Sequence, residues 1–179
     1  MLQDGCTFAF RGSDDIQDWL SNARGIIPLF GDSTWHGKKV HAGFLNELQR
    51  LIAGTDFQNA VYACPSWQRH FVGHSLGGAM ATICAKRLEE EGIIPHCLYT
   101  YGSPRVGDRK WVKTLDVTHY RFQNNNDVVC KVPFWMMGYR HHGNNIYIGY
   151  NGKICKMNMW RRFIDSMRGR FKAWSKWQF

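Results

Sequence analysis

Residues 69 to 91 read as a strand, a sharp turn and a helix in unbroken succession, and that unit decides what sheet the rest of the chain can build. Arg69-His70-Phe71-Val72 is β-forming, glycines stand at 73, 77 and 78, and a run of helix formers continues from Ala79 to Glu91 with Gly92 as a stop. Ser75 falls at the turn, inside Gly73-x-Ser75-x-Gly77. In such a nucleophile elbow, small flanking residues let the backbone take a strained turn that lifts a serine hydroxyl above the sheet edge. The Leu76 N–H, in the first turn of the helix, then points to where an oxyanion would form. A phosphate-binding loop is excluded, because no Gly-Lys-Ser/Thr and no Gly-x-Gly-x-x-Gly spacing occurs here.

Other segments repeat the alternation. Cys6-Thr7-Phe8-Ala9-Phe10 reads as a short strand ending in the polar Arg11-Gly12-Ser13. Ser13 is either a helix cap or an oxyanion donor from the loop after a neighbouring strand. Ile16, Trp19, Leu20 and Ala23 follow at helical spacing, and the apolar Ile26-Ile27-Pro28-Leu29-Phe30 either packs on the core or is a mobile cover over an apolar pocket. Residues 31 to 39 look turn-rich, and a helix follows Val40-His41-Ala42-Gly43-Phe44. Strands over 97–101 and 117–122 each empty into polar loops, and Asn151-Gly152 suggests a hairpin with a type I′ turn. Strand and helix in alternation argue an α/β fold with a mostly parallel sheet, whose functional groups gather at the carboxyl ends of the strands.

The length of 179 residues suits one domain over 1–179, and 44% hydrophobic residues exclude a disordered chain. The net charge of +9 is concentrated in the tail: residues 156–179 hold seven Lys/Arg and one Asp, leaving 16 basic against 13 acidic residues elsewhere. Near balance outside the tail, without a recognised binding motif, argues against a nucleic-acid partner. Six cysteines without Cys-x-x-Cys spacing give no zinc site and are expected to be mostly reduced, packed thiols. No signal-like segment opens the chain, so the expected compartment is the cytoplasm rather than the secretory route. No apolar run approaches the ~20 residues of a membrane span.

Serine catalysis needs a base, an acid to orient it and donors for the oxyanion. The order Ser, Asp, His of hydrolases with this sheet is met by Ser75, Asp127 and either His141 or His142, each in a loop. Asp108 is the rival acid, but it follows a proline turn and suits the cap of a helix starting near Arg109. The mechanism calls for no metal or cofactor.

Phe10-Arg11-Gly12-Ser13, Ile16-Gln17-Asp18-Trp19-Leu20, the elbow from Gly73 to Gly78, Gly102-Ser103-Pro104-Arg105-Val106-Gly107, Asn126-Asp127-Val128-Val129 and His141-His142-Gly143 together resemble the class 3 lipase family of α/β-hydrolases. The resemblance covers roughly residues 7 to 148. It implies Ser75 as nucleophile, Asp127 as acid, His141 as base in preference to His142, Ser13 and Leu76 as oxyanion donors, and a lid helix with Ile16, Trp19 and Leu20. Because the family carries a helix and strands ahead of the Phe-Arg-Gly strand, an N-terminally shortened hydrolase fold is expected. The function implied is hydrolysis of lipid esters, with a phospholipase, a soluble carboxylesterase or a non-catalytic lipid-binding module as alternatives. The oligomeric state is left open. The tail over 158–177 is a basic amphipathic helix whose stripe either packs on the sheet or lies on an anionic membrane.

Overall fold

A computed structural model describes residues 5–12, 32–65, 68–155 and 159–175. In chain order come β1 (Cys6–Phe10), β2 (Asp32–Trp35), β3 (Lys38–His41), α1 (Ala42–Ala53), α2 (Phe57–Ala63), β4 (Arg69–His74), α3 (Leu76–Glu90) and β5 (Cys97–Tyr101). There follow β6 (Gly107–Asp108), α4 (Arg109–Val112), β7 (Thr118–Asn124), β8 (Tyr139–Arg140), β9 (Asn144–Ile148), β10 (Ile154–Cys155) and α5 (Met159–Ser175). The main sheet has the order β1-β4-β5-β7-β9-β10 and is parallel except for the last pair. A smaller antiparallel sheet, β2-β3-β6-β8, stands apart from it.

Burial on several sides explains the composition of α3. Ala79, Ala81, Ile83 and Ala85 are all fully buried, so small residues let the helix lie close to β4 and β5. Phe8 and Phe10 of β1 meet Phe57 and Phe71 in an aromatic cluster, with Phe8 stacked on Phe71 at 5.2 Å. A fully buried side chain such as Phe71 or Leu98 contributes about 1.5–3 kcal/mol. A disulfide joins Cys6 at the start of β1 to Cys64 just after α2. The expectation of reduced thiols fails for this pair and holds for Cys84, Cys97, Cys130 and Cys155.

Two other local readings are corrected. The turn-rich stretch before Val40 is the hairpin β2–β3, closed by His36 and Gly37 with φ of 49° and 71°, the pair of positive angles a type I′ turn needs. The β9–β10 hairpin exists, but its loop runs over residues 149–153 and only Gly152 has positive φ. The Asn151 carboxamide oxygen accepts from Lys153 N–H instead, a side-chain turn that competes with the two-residue one. Asp108 caps α4 by accepting from Trp111 N–H at 2.7 Å, which leaves it occupied as a cap.

Candidate active site

The carboxyl ends of the central strands define one edge, where His74, Tyr101 and Phe122 lie in a row across β4, β5 and β7. Ser75 follows His74 with φ 54° and ψ −124°, a backbone conformation a side chain rarely takes. Its N–H donates to the Tyr101 carbonyl at 2.9 Å, and its own carbonyl accepts from Gly78 N–H at 3.0 Å. Glycine is required on both sides. A Cβ at Gly73 would lie 2.3 Å from the Gly77 oxygen, and one at Gly77 would lie 2.0 Å from the Phe10 oxygen. Leu76 opens α3, and its amide belongs to the first turn, whose N–H groups have no acceptor within the helix.

Asp127 arrives on the loop after β7. Its Oδ1 accepts from Val129 N–H at 2.9 Å, and the Cys130 thiol approaches its Oδ2 at 3.6 Å. Burial, and after it the Asp127 charge, push the Cys130 thiol up to about 12, so this cysteine stays protonated as a donor. The Arg105 guanidinium holds the loop by donating to the carbonyls of Lys131 and Pro133. Gly102, at φ 58°, lies between Asp127 and the end of β4: a Cβ there would meet Asp127 Oδ2 at 2.6 Å and His74 Nε2 at 3.6 Å. A cleft of about 1120 Å³ opens on this edge, lined among others by His74, Tyr101, Gly102, Asp127, Tyr150 and Arg170. Among the described residues no three or more His, Cys, Asp and Glu side chains come together to hold a metal.

The structure does not bring His141 to this place. Its ring Nε2 pairs with the Cys130 carbonyl at 2.8 Å. Desolvation, then the nearby Arg121 charge, push its pKa down to about 3. The segment enters β9 from the amino edge: Gly143 packs on His119, whose sheet row runs through Leu98 to Phe71. Phe71 lies four residues before Ser75, about 13 Å along a strand. His142 pairs with His119 at 3.2 Å, and His119 with the Thr100 hydroxyl at 2.8 Å. The cavity lined by His119, His141, His142, Thr82, Ser103 and Arg121 measures about 10 Å³. That is room for about one water molecule. Ser75 and Asp127 both lie at the carboxyl edge of the sheet, whereas chain order carries no information on which end of a strand a histidine loop occupies.

Ser13 and the lid residues Ile16, Trp19 and Leu20 lie outside the described residues. Gly12, just before Ser13, sits against the elbow, where its Cβ would be 3.6 Å from the Ser75 Cβ. Gly102 belongs to this edge by its positive φ and by its place between Asp127 and His74, which no local sequence signal announces.

Comparison with known proteins places these features. The family model described as lipase (class 3) matches residues 7–137. A secreted mono- and diacylglycerol lipase 1 of Fusarium solani is 37% identical over 139 residues, covering 73% of this chain and 40% of that protein. The crystal structure of a lipase from Rhizopus microsporus var. chinensis superposes with a TM-score of 0.69 at 26% identity, over 85% of this chain and 57% of that one. A triacylglycerol lipase whose catalytic centre is described as a serine protease triad gives 0.68 at 29% identity, over 79% and 57%. The chain thus spans about two fifths of the length of the curated relatives it matches. The cytoplasmic expectation is overturned, since relatives are secreted lipases and the Cys6–Cys64 disulfide belongs to an oxidising compartment. With the strained turn at Ser75, the mostly parallel α/β-hydrolase sheet and a family match over most of its length, the chain belongs to the class 3 lipase family.

Proposed function

We propose that the chain carries the nucleophile and acid of an exported lipid ester hydrolase, working by acyl transfer through Ser75. The observation that carries the reading is the strained Ser75 at the β4–α3 junction, one row from the Asp127 loop across a glycine. The Ser75 hydroxyl attacks the ester carbonyl while its proton passes to an imidazole. The Leu76 amide and donors from the loop after β1, with Ser13 the candidate, hold the oxyanion. The alcohol leaves with the proton, and water then attacks the acyl-enzyme to release the acid and regenerate Ser75. Asp127 orients the ring and stabilises its cationic form. Mono- and diacylglycerols are the substrates named for relatives, and an acylglycerol at an anionic lipid surface is the substrate proposed here.

The base is assigned to an imidazole entering the cleft beside Gly102, not to His141. His141 is assigned a structural role, tethering Cys130 three residues after Asp127. The stretch matched here is about two fifths of the length of the curated relatives.

The test is hydrolysis of p-nitrophenyl butyrate by the 179-residue chain, with and without added imidazole, alongside labelling by a fluorophosphonate. Imidazole should raise turnover by roughly tenfold or more above the Ser75→Ala background, in line with the range general-base catalysis supplies. Ser75→Ala should abolish labelling. His141→Ala should lower the melting midpoint yet keep the imidazole-dependent rate. A His141→Ala protein as inactive as Ser75→Ala at an unchanged midpoint would return the base to His141, and labelling that survives in Ser75→Ala would remove the nucleophile.

A further inference from the structure

Helix α5 is amphipathic in the inverse sense. The residues it turns toward the body are polar: the Asp165 carboxylate, 5% exposed, accepts from Tyr147 O–H at 2.9 Å, Asn125 Nδ2–H at 3.0 Å and Tyr150 N–H at 3.1 Å. Asn126 donates to the Ser166 carbonyl at 2.8 Å and its carboxamide oxygen accepts from the Ser166 hydroxyl, Gly169 fits against Asn125, and Arg162 lies over the Tyr147 ring. Positions 162, 165, 166 and 169 form one face at the spacing of a helix.

The opposite face faces solvent. Trp160, Phe163, Ile164, Met167 and Phe171 are all exposed, Trp160 by 76%, and they recur at i, i+3, i+4, i+7 and i+11. Arg161, Arg168 and Lys172 run along one flank of this stripe and Arg170 along the other. The single acid of the helix, Asp165, is consumed by its bonds to the body. An apolar stripe pointing away from the body and bordered by cations fits an anionic lipid surface, with aromatic rings at headgroup depth and guanidinium groups level with phosphates.

We propose that α5 is an in-plane anchor for anionic lipid surfaces, which also sets the mouth of the Asp127 cleft against the bilayer. Gly169, Arg170 and Lys172 line that cleft together with Asp127, and Asn125 and Asn126, which hold the helix, directly precede Asp127 in the chain. A helix docked by its apolar face therefore lies beside the route by which an acyl chain would leave the lipid for the sheet edge. The assignment of that route rests on the ester-hydrolase reading; the anchor itself does not.

The test is co-sedimentation of the full chain with phosphatidylcholine vesicles containing about one third phosphatidylglycerol, and with pure phosphatidylcholine vesicles. The chain should bind the anionic vesicles at low salt and lose most of that binding at high salt. Trp160→Ser with Phe163→Ser should reduce it by about tenfold or more, with the melting midpoint and the imidazole-dependent soluble-ester turnover unchanged. Arg161→Gln with Arg168→Gln, which leaves the stripe intact, should weaken binding to the anionic vesicles alone. Failure of the wild type to bind, or equal binding by the stripe variant, overturns the anchor. So does sedimentation velocity showing a dimer that the stripe variant dissolves, since a second copy then covers the stripe. Binding without imidazole-dependent soluble-ester turnover leaves the anchor standing and removes the hydrolase reading.

Discussion

Ser75 holds a conformation that costs of order 1–3 kcal/mol, kept in place by the Tyr101 carbonyl on its N–H and by glycines at 73 and 77 that allow backbone contact. The turn sets Ser75, itself buried, at the carboxyl end of β4, and glycine at this position would adopt the same angles freely. Against that relief stands the extra chain entropy glycine loses on folding, about 0.5–1 kcal/mol. The net expectation for Ser75→Gly is therefore a protein more stable by about 1 kcal/mol, or roughly 2–4 °C in melting midpoint at this length, and unable to take a phosphonate label. A midpoint equal to or below the wild type would show that the turn stores no strain. The same position illustrates what was readable beforehand. Serine between glycines announces the turn, whereas Gly102 carries no comparable signal, because its importance comes from two groups, Asp127 and His74, that only the sheet register brings to it.

At the scale of elements, β1 stands at one edge of the main sheet among the described strands and pairs only with β4. Its support comes from Phe8 and Phe10 on the aromatic cluster and from the Cys6–Cys64 bond. That bond spans a sequence separation of 58 residues. The loss of chain entropy in the unfolded state then amounts to about 4 kcal/mol. Cys6→Ser with Cys64→Ser should lower unfolding stability by about 2–4 kcal/mol in urea, and reductant should reproduce the loss in the wild type but not in the variant. A variant as stable as the wild type in oxidising buffer would leave the bridge without a role in holding the edge. Strands and helices were legible because their periodicities are local, as in β4 with α3. The pairing of two cysteines 58 residues apart was not, and neither was the direction α5 faces. Its stripe is plain in the sequence, yet the hydrogen bonds of Asp165 to Tyr147 and Tyr150 turn it outward.

For the molecule as a whole, histidines held neutral couple stability to pH. Burial pushes His41 down to about 4, opposed by the Asp32 charge, and pushes His119 down to about 2, assisted by His142, Arg121 and His141. Desolvation and Arg121 bring His141 to about 3. Each has an ordinary value near 6.5, so the unfolded chain binds more protons than the folded one wherever the pH lies between that value and the depressed one. The stability they contribute is complete above about pH 6.5 and drains away as the pH falls toward about 4 and below. The Asp32 carboxylate, held below its ordinary value chiefly by bonds from Lys39 and Tyr139 against the opposing effect of burial, adds a loss at still lower pH. Urea midpoints should therefore be flat from about pH 8 to 7 and fall steadily from about pH 6 to 4, before carboxylates of ordinary pKa take over. His119→Asn removes one of these groups and should lower the midpoint at pH 7, because its ring pairs with both Thr100 and His142. It should also flatten the slope between pH 6 and 4, as one proton fewer is taken up on unfolding. An unchanged slope in His119→Asn, with the midpoint shifted equally at every pH, would show that this histidine is not neutral in the folded state.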